Sequence, residues 1–205
     1  MNLTYKIISG FYDLIDVIYF RKDGINPRNA IVDCIPDKKI RVLDICAGTA
    51  TNGIMIAEKR KKASVVGIDF SKDMLRIANE KIRSLEISNL KVKYADATNI
   101  SLKDNSVDII LISLALHELS KDLADKILSE AGRILKPDGK VIVLEWEQPT
   151  DLLKRVLFLP IHLLEPKGFH KFLYNDKKRY FAEHGYNIST MKHCDYSCVC
   201  ELVKL

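Results

Sequence analysis

Three carboxylates recur along this chain, each at or just after the end of an apolar run. Asp44 lies near the end of the first run, Asp69 ends the second about 25 residues later, and Asp96 follows the third. If these runs are parallel strands of one open sheet, their carboxyl ends line a single crevice. Acids in such places also serve as helix caps or as solvated loop residues. Because all three stand in phase with the strands, the pattern favours one shared binding site.

The loop after Asp44 carries almost no side-chain bulk before a helical pattern that starts at Thr51. Gly48 lets a ligand approach the backbone closely, and a helix start offers N–H groups and partial positive charge. A dinucleotide-binding loop would read Gly-x-Gly-x-x-Gly. This loop reads Asp44-x-Cys46-x-Gly48-x-Ala50 instead, which suits a ligand without a diphosphate. A nucleoside with an amino-acid tail fits that description, and S-adenosylmethionine (SAM) is the common one.

The three carboxylates would divide such a ligand between them. Asp69 is placed to accept hydrogen bonds from both hydroxyls of an adenosine ribose, and Asp96 with Ala97 is placed to face the adenine ring. Asp44 stands where a positively charged ammonium or sulfonium end would be neutralised.

The elements that must position these residues alternate between apolar strands and amphipathic helices. Strands are predicted over Val42–Cys46, Ser64–Ile68, Lys91–Tyr94, Val107–Ser113 and Lys140–Leu144, and helices over Asn29–Ile35, Thr51–Lys62, Ser71–Leu85 and Lys121–Leu135, with Ser71 as an N-cap and a turn at Lys136–Gly139. Two last β-like runs, Asn187–His193 and Cys198–Val203, predict an antiparallel hairpin. We therefore expect an α/β fold with a Rossmann-like, doubly wound, mostly parallel seven-stranded sheet.

Two apolar segments lie outside this alternation. Tyr5–Phe20 is an aromatic-rich helical stripe, and Leu152–Leu164 contains Pro160, which should kink or end a helix. We expect one domain over residues 1–205, with residues 1–36 as a helical flap and residues 149–185 as an insertion that forms an acceptor lid. The alternatives stay open: the first segment packs on the sheet edge, and the second packs on the domain or forms a homodimer. A lipophilic acceptor or a transient membrane-surface contact is the other interpretation.

Composition excludes several classes of protein. The chain has 205 residues, 47% of them hydrophobic, and a net charge of +5 with scattered basic residues, which indicates no nucleic-acid module. Neither a signal peptide nor an apolar stretch of membrane-spanning length is evident. Five cysteines, an odd number, are typical of a reduced, cytoplasmic protein. No metal site is expected. The tail cysteines Cys194, Cys198 and Cys200 are interpreted as small buried residues, or alternatively as ligands of a metalloid acceptor.

The motifs together resemble those of class I SAM-dependent methyltransferases, most closely the ubiquinone/menaquinone-biosynthesis C-methyltransferases. The matching stretches are Val42–Ala50, Val65–Leu75, Asp96-Ala97, Asp104–Asp108 and Glu130–Gly139, within a match from roughly Tyr12 to Gln148. The resemblance implies that the loop residues Asp44, Cys46, Gly48 and Thr49 hold the methionine moiety, and that Asp69 binds the ribose. It places Phe70, Met74, Asp96 and Ala97 at the adenine, and Ser113 and Leu114 under the sulfonium.

The chain departs from that family at His117-Glu118, where quinone C-methyltransferases usually have Arg-Asn. A quinol hydroxyl must lose its proton before the ring carbon attacks, and a histidine can accept that proton near neutral pH. His117 is therefore a candidate catalytic residue, while a supporting or purely structural role for it stays open. Tyr12 is a second candidate, because it or Tyr19 would reach into the site from the flap. We expect a SAM-dependent methyltransferase with a small, hydrophobic, quinone-like acceptor. O-, N- or S-methylation of another small molecule or metalloid is the alternative, as is SAM binding without methyl transfer.

Overall fold

The computed structural model of the protein describes residues 26–164 and 167–205. Residues 1–25 of the predicted flap, among them Tyr12 and Tyr19, lie outside the described residues, whereas residues 26–36 are described and include the first helix. The helices are α1 (Pro27–Asp33), α2 (Thr51–Lys59), α3 (Lys72–Ser84), α4 (Lys121–Ile134), α5 (Leu152–Leu164), α6 (Lys167–Leu173) and α7 (Lys177–Glu183). The strands are β1 (Arg41–Ile45), β2 (Ser64–Asp69), β3 (Leu90–Tyr94), β4 (Val107–Ser113), β5 (Leu135–Trp146), β6 (Tyr186–His193) and β7 (Ser197–Lys204).

The strands form one sheet of seven, in the order β3-β2-β1-β4-β5-β7-β6. The five strands from β3 to β5 are parallel, and β7 pairs antiparallel with both β5 and β6. The chain adds strands in one direction from β1 to β3 and in the other direction from β4 onward, so the strand order reverses between β1 and β4. In a doubly wound sheet, ligands bind in the crevice at the carboxyl ends of the two strands where this reversal occurs. The predicted fold class, including the C-terminal hairpin, is confirmed.

Each face of the sheet is covered by helices. On one face, Leu43 and Ile45 pack with the buried side of α4. Val42 points to the opposite face and packs with α1, α2 and α3. Because both faces are covered, β1 is apolar at nearly every position rather than at every second one. Two residues of β1 are charged: Arg41, which is exposed at its start, and Asp44, which is only 1% exposed. A buried carboxyl group is costly to a fold, so the burial of Asp44 indicates a role other than core packing.

Helix α2 ends three residues earlier than the sequence pattern predicts. The backbone of Arg60 leaves the helical conformation, and its guanidinium donates hydrogen bonds to the carbonyl oxygens of Ile35 (2.5 Å) and Val32 (2.7 Å). These carbonyls lie at and just beyond the end of α1. Arg60 thus satisfies backbone acceptors of another helix, and this contact between distant segments outweighs the local helical pattern.

The turn predicted at Lys136–Gly139 is wrong, because this segment belongs to β5. Val107 pairs with Leu135 and Ile109 pairs with Lys140, so the segment forms an irregularity opposite Asp108. Lys136 Nζ contacts Asp108 Oδ1 at 2.5 Å. A Cβ on Gly139 would lie 2.8 Å from the Asp108 carbonyl oxygen, so the close approach of the two strands requires glycine here. The Pro-Asp-Gly sequence therefore bulges within a strand instead of reversing the chain.

Helix α5 continues through Pro160, where the sequence predicts a kink or an end. Pro160 and Val156, whose carbonyl loses its helical N–H partner there, both lie on the exposed side of the helix. Water can therefore replace the lost hydrogen bond, which lowers the cost of proline inside the helix. Within the described residues, no helix is both long enough and apolar enough to cross a bilayer.

Candidate functional site

The loop that joins β1 to α2 crosses the carboxyl end of β2. Ala47 N–H donates to the carbonyl of Ile68 at 3.0 Å, which ties the loop to that strand. Cys46, Gly48 and Ala50 all have positive φ angles, of 58°, 54° and 59°. Only glycine adopts this conformation at no cost, and other residues pay about 1 kcal/mol each. Cys46 and Ala50, which are not glycine, are thus strained positions that the surrounding structure holds in place.

Asp69 is fixed at the tip of β2 by two backbone donors. Its Oδ2 accepts from Gly48 N–H at 2.8 Å, and its Oδ1 accepts from Ser71 N–H at 2.7 Å. Ser71 also caps α3, as predicted, by accepting from Met74 N–H at 3.3 Å. A carboxylate oxygen has two lone-pair positions, so each oxygen of Asp69 retains capacity for a ribose hydroxyl. The carboxylate that would bind the ribose is therefore oriented by the protein itself.

Asp44 lies close enough to Asp69 for the two charges to interact, as the sequence predicts. Burial raises the pKa of Asp44 to about 7, the charge of Arg28 opposes this shift, and that of Asp69 adds to it. Among the described residues, Asp44 Oδ1 is buried and accepts no hydrogen bond. A buried acceptor of this kind is costly unless a ligand completes it. A cationic group, placed beside Asp44, would do so.

A chain of polar side chains next to Asp44 was not predicted. Arg28 of α1 donates to Asn52 Oδ1, and Asn52 Nδ2 donates to Ser113 Oγ at 2.7 Å. These contacts join three segments that are far apart in sequence. The polar Asn52 in the first turn of α2 was the available signal, but nothing local indicates its partners.

The residues predicted to face the adenine are less enclosed. Phe70 is exposed and packs against Tyr94, with 5.1 Å between ring centroids. Met74 and Ala97 are half-buried. Asp96 stands apart from the other two acids: it is exposed, and hydrogen bonds from the side chain and the backbone N–H of Thr98 hold its pKa below the usual value. The described residues thus define the methionine and ribose ends of the site more firmly than its adenine end.

The remaining predicted cofactor contacts lie at the mouth of the same crevice. Thr49 Oγ1 is 3.2 Å from Thr51 Oγ1 and accepts from Lys81 Nζ at 3.3 Å. Leu114 has a positive φ of 50° and directly follows β4, and its N–H donates to Leu144 O at 2.8 Å. A Cβ on Gly48 would have nothing within 4 Å, so space is left beside the loop. This open space and the unmet acceptor of Asp44 fit a SAM molecule.

His117, the predicted catalytic residue, forms a buried pair with Glu145. His117 Nδ1 lies 2.6 Å from Glu145 Oε2, and both side chains are almost fully buried. Glu145 Oε1 accepts from the backbone N–H groups of Ala115 (3.2 Å) and Leu116 (2.8 Å). A carboxylate at Nδ1 holds the proton on that nitrogen and leaves Nε2 as the basic atom. Glu145 was not singled out by sequence reasoning, although a charged residue at the end of an apolar strand was a usable signal.

An aromatic side chain from residues 149–185 packs against His117. The rings of His117 and Phe169 meet edge to face with 5.8 Å between centroids, and Phe169 packs with Phe158 and Trp146 in one buried cluster. On the other side of Glu145, Cys198 of β7 is its cross-strand partner. The pair of His117 and Glu145 thus lies among apolar groups, with the Glu118 carboxylate near its other side at 4.0 Å from His117 Nε2.

The tail cysteines do not converge. Cys198 and Cys200 belong to the core that contains α4, whereas Cys194 packs against the core on the opposite face. Among the described residues, no group of three or more metal-ligating side chains is assembled. The three cysteines occupy buried or half-buried positions as small side chains.

Comparison with known proteins identifies relatives. Residues 42–139 match the family model described as a methyltransferase domain. A demethylmenaquinone methyltransferase of Staphylococcus epidermidis is 33% identical over 183 residues, which cover 88% of this chain and 74% of that protein. Another, from Geobacillus sp., is 36% identical over 154 residues, 75% of this chain and 65% of that protein.

A solved structure supports the same fold. The SAM-dependent methyltransferase of Aquifex aeolicus superposes with a TM-score of 0.75 and covers 98% of both chains at 20% identity, which is a likeness of fold alone. The sequence relatives, the matched domain and a crevice that fits SAM agree with one another. The chain therefore belongs to the class I SAM-dependent methyltransferases, in the group that includes these demethylmenaquinone methyltransferases, and SAM is its methyl donor.

Proposed function

We propose that this methyltransferase transfers the methyl group of SAM to a ring carbon of a hydrophobic, quinol-like acceptor. The observation that carries the proposal is the buried pair of His117 and Glu145, against which an apolar aromatic cluster packs through Phe169. The names of the relatives from Staphylococcus and Geobacillus support the same class of acceptor. A quinol ring is flat and apolar, so it matches aromatic walls better than a charged acceptor would.

The two centres of the site have separate tasks. SAM, when bound, supplies a methyl group on a positively charged sulfur. Asp44 would lie against the positive end of the ligand, and Asp69 would hold the ribose. His117 Nε2 would take the proton of the acceptor hydroxyl, so that an electron pair of the ring becomes available at carbon. That carbon would form the bond to the methyl group as the methyl–sulfur bond breaks and its electron pair returns to sulfur, with S-adenosylhomocysteine as the leaving group. The same carbon would then lose its hydrogen as a proton, which restores the aromatic ring. Glu145 stabilises the imidazolium that forms, because its carboxylate stays 2.6 Å from Nδ1.

The insertion would act as the lid over the acceptor. Helices α5 and α6 contribute Phe158 and Phe169 to the cluster next to His117. A lid of this kind excludes water from the reacting groups and fixes the acceptor in line with the methyl group. Orientation of this type contributes up to about 7–11 kcal/mol to lowering a barrier, more than a general base alone supplies.

The test is turnover of a water-soluble, short-chain naphthoquinol kept under reducing conditions. We expect SAM-dependent formation of a product methylated on carbon, identified by NMR. His117→Ala should lower kcat by about 100-fold or more, because the general base is lost. His184→Ala is the matched control: His184 Nε2 also pairs with a carboxylate, Asp125 Oδ1 at 2.7 Å, but this pair joins the end of α7 to α4. This variant should keep the full rate.

The opposite results are equally clear. A product methylated on oxygen would contradict carbon transfer and leave the enzyme class intact. Full activity of His117→Ala would remove His117 from the mechanism. SAM and its demethylated product should raise the melting temperature by mass action, and a shift by NAD instead would contradict the assignment of the crevice.

A further inference from the structure

Helix α5 exposes a broad apolar stripe to solvent. Its large exposed side chains are Leu152, Leu153, Val156, Leu157 and Leu159. At 100° per residue these five positions fall within one arc of roughly 160°. The opposite side of the helix carries Phe158 and Ile161, which are buried against the domain. The helix is therefore anchored by a few aromatic and aliphatic contacts while most of its apolar surface faces outward.

The stretch of sequence that contains α5 is basic and accounts for most of the net charge of the protein. Residues 151–179 contain seven Lys or Arg and three Asp or Glu, a net charge of +4, whereas the whole chain carries +5. Two of these basic residues lie on α5 itself. Lys154 pairs with Asp195 at 2.6 Å, and Arg155, which is exposed, donates through Nε to the carbonyl of Pro149. A wide apolar stripe flanked by basic residues is the pattern of a helix that lies in a membrane interface.

We propose that the exposed face of α5 binds the surface of an anionic lipid bilayer, with its leucines in the headgroup and acyl boundary. Charge favours this occupant over a second copy of the chain, because α5 has two basic residues and no acidic residue between Leu152 and Leu164. Two such helices repel each other, whereas an anionic surface attracts them. The reason for membrane binding rests on the proposed function, because a hydrophobic acceptor dissolves in the bilayer. The insertion that includes α5 also packs beside His117 through Phe169. The helix would bring the lid to the place where the acceptor is found.

The test is co-sedimentation of the 205-residue chain with vesicles. We expect binding to vesicles of equal parts phosphatidylcholine and phosphatidylglycerol, weaker binding to phosphatidylcholine alone, and release as salt screens the charges. Leu152→Gln with Leu159→Gln removes two side chains that are 78% and 56% exposed. We expect this double variant to bind anionic vesicles at least 10-fold more weakly, because apolar burial in the interface is lost.

The matched control applies the same change elsewhere. Leu85→Gln with Leu205→Gln replaces leucines that are 51% and 72% exposed and lie outside α5. This control should bind as the unaltered protein does, and circular dichroism should show that both double variants stay folded. Equal loss in the control, or no binding of the unaltered protein to anionic vesicles, would overturn the proposal. So would a dimer in solution that the α5 variant alone dissociates, since a second copy would then occupy the face.

The proposed function can fail separately. Methylation of the short-chain quinol does not need a membrane, so turnover without vesicle binding contradicts only this inference. Vesicle binding without methylation of any quinol contradicts only the proposed acceptor.

Discussion

Asp44 makes the ligand-free protein sensitive to pH. Burial raises the pKa of its carboxyl group from 3.8 to about 7 in the folded state. The folded state therefore holds a proton that the unfolded chain has already lost in this range. The contribution of Asp44 to stability is fully present below about pH 3.8 and is lost as the pH rises through about 7.

We therefore expect the free energy of unfolding of the ligand-free protein to fall between about pH 4 and about pH 7. Asp44→Asn, which does not titrate, should flatten this slope, and urea unfolding at several pH values measures it. SAM affinity should change in the opposite sense, rising with pH as Asp44 ionises beside the positively charged ligand. Calorimetric titration of both proteins checks this, and an unchanged pH dependence of affinity in Asp44→Asn would contradict the role of Asp44.

Gly48 separates the cost of backbone strain from the cost of a blocked site. In Gly48→Ala the methyl group would meet nothing within 4 Å, but the φ of +54° makes the backbone unfavourable for alanine. We expect a loss of stability of about 1 kcal/mol and a loss of SAM affinity of at least about 10-fold, because the ligand approaches the backbone there. Thermal unfolding and calorimetric titration measure the two effects.

Gly185 supplies the control for that substitution. It also has a positive φ, of +80°, and a Cβ added there would meet nothing within 4 Å, yet it lies between α7 and β6, away from the β1–α2 loop. Gly185→Ala should show the strain and leave SAM affinity unchanged. Similar losses of affinity in both variants would mean that strain, not contact with the ligand, governs binding at Gly48.

Some candidate site residues can be predicted from the sequence because they stand at or just after the end of a strand. Residues that come together from distant segments of the chain are harder to predict. Asp44, Asp69 and Gly48 are recognisable because their types and spacing match the ends of two strands. Glu145 is different, since its partner His117 lies 28 residues away and only the pairing of β4 with β5 brings them together. Arg28 and Asn52 escape prediction for the same reason: their contact joins separate helices.

Strand β5 begins directly after α4 because a tight contact replaces the predicted turn. In Gly139→Ala the new Cβ would lie 2.7 Å from Leu135 Cδ1 and 2.8 Å from the backbone oxygen of Asp108. The backbone oxygen cannot move aside as a flexible side chain would. We expect a loss of about 1–3 kcal/mol in the free energy of unfolding, measured with urea.

Asp138→Ala, at the exposed neighbouring position, is the control and should change stability by less than about 0.5 kcal/mol. If Gly139→Ala were as stable as this control, the close approach of the two strands would not hold in solution. The same segment explains why sequence reasoning failed here. Lys136-Pro-Asp-Gly139 has the composition of a turn, and only the ion pair of Lys136 with Asp108 and the neighbouring strand keep it extended.

The architecture as a whole was more predictable than its individual boundaries. Alternating apolar runs and amphipathic helices specify a parallel sheet with helices on both faces, and the two last runs specify the hairpin. Local patterns do not specify where tertiary contacts override them. Helix α2 ends early because Arg60 binds the end of α1, and α5 passes through Pro160 because that side of the helix is exposed.

The hairpin of β6 and β7 belongs to the same cooperative unit as the matched methyltransferase segment. β7 pairs with β5 from Val141 to Trp146. Of its buried residues, Cys200 and Leu202 belong to the core cluster on one face of the sheet and Val199 belongs to the cluster on the other. A chain that ends at Gly185 should therefore lose cooperative thermal unfolding, because β5 would become an unprotected edge. Near-ultraviolet circular dichroism and calorimetry measure this.

A chain that ends at Lys204 lacks only the exposed Leu205, whose N–H donates to the Gly185 carbonyl oxygen, and should unfold much like the 205-residue chain. A cooperative transition in the chain that ends at Gly185 would show that the first five strands fold independently.

The pairing of Glu145 with Cys198 across β5 and β7 has a consequence for how new acceptors can be acquired. Chimeras that exchange residues 149–185 between relatives would alter the walls around the acceptor and keep the support of the imidazole. Exchange of the hairpin would instead disturb the strand that carries Glu145, and hence His117, the proposed proton acceptor. Acceptor preference should therefore diversify through the helical insertion, while the terminal strands change slowly.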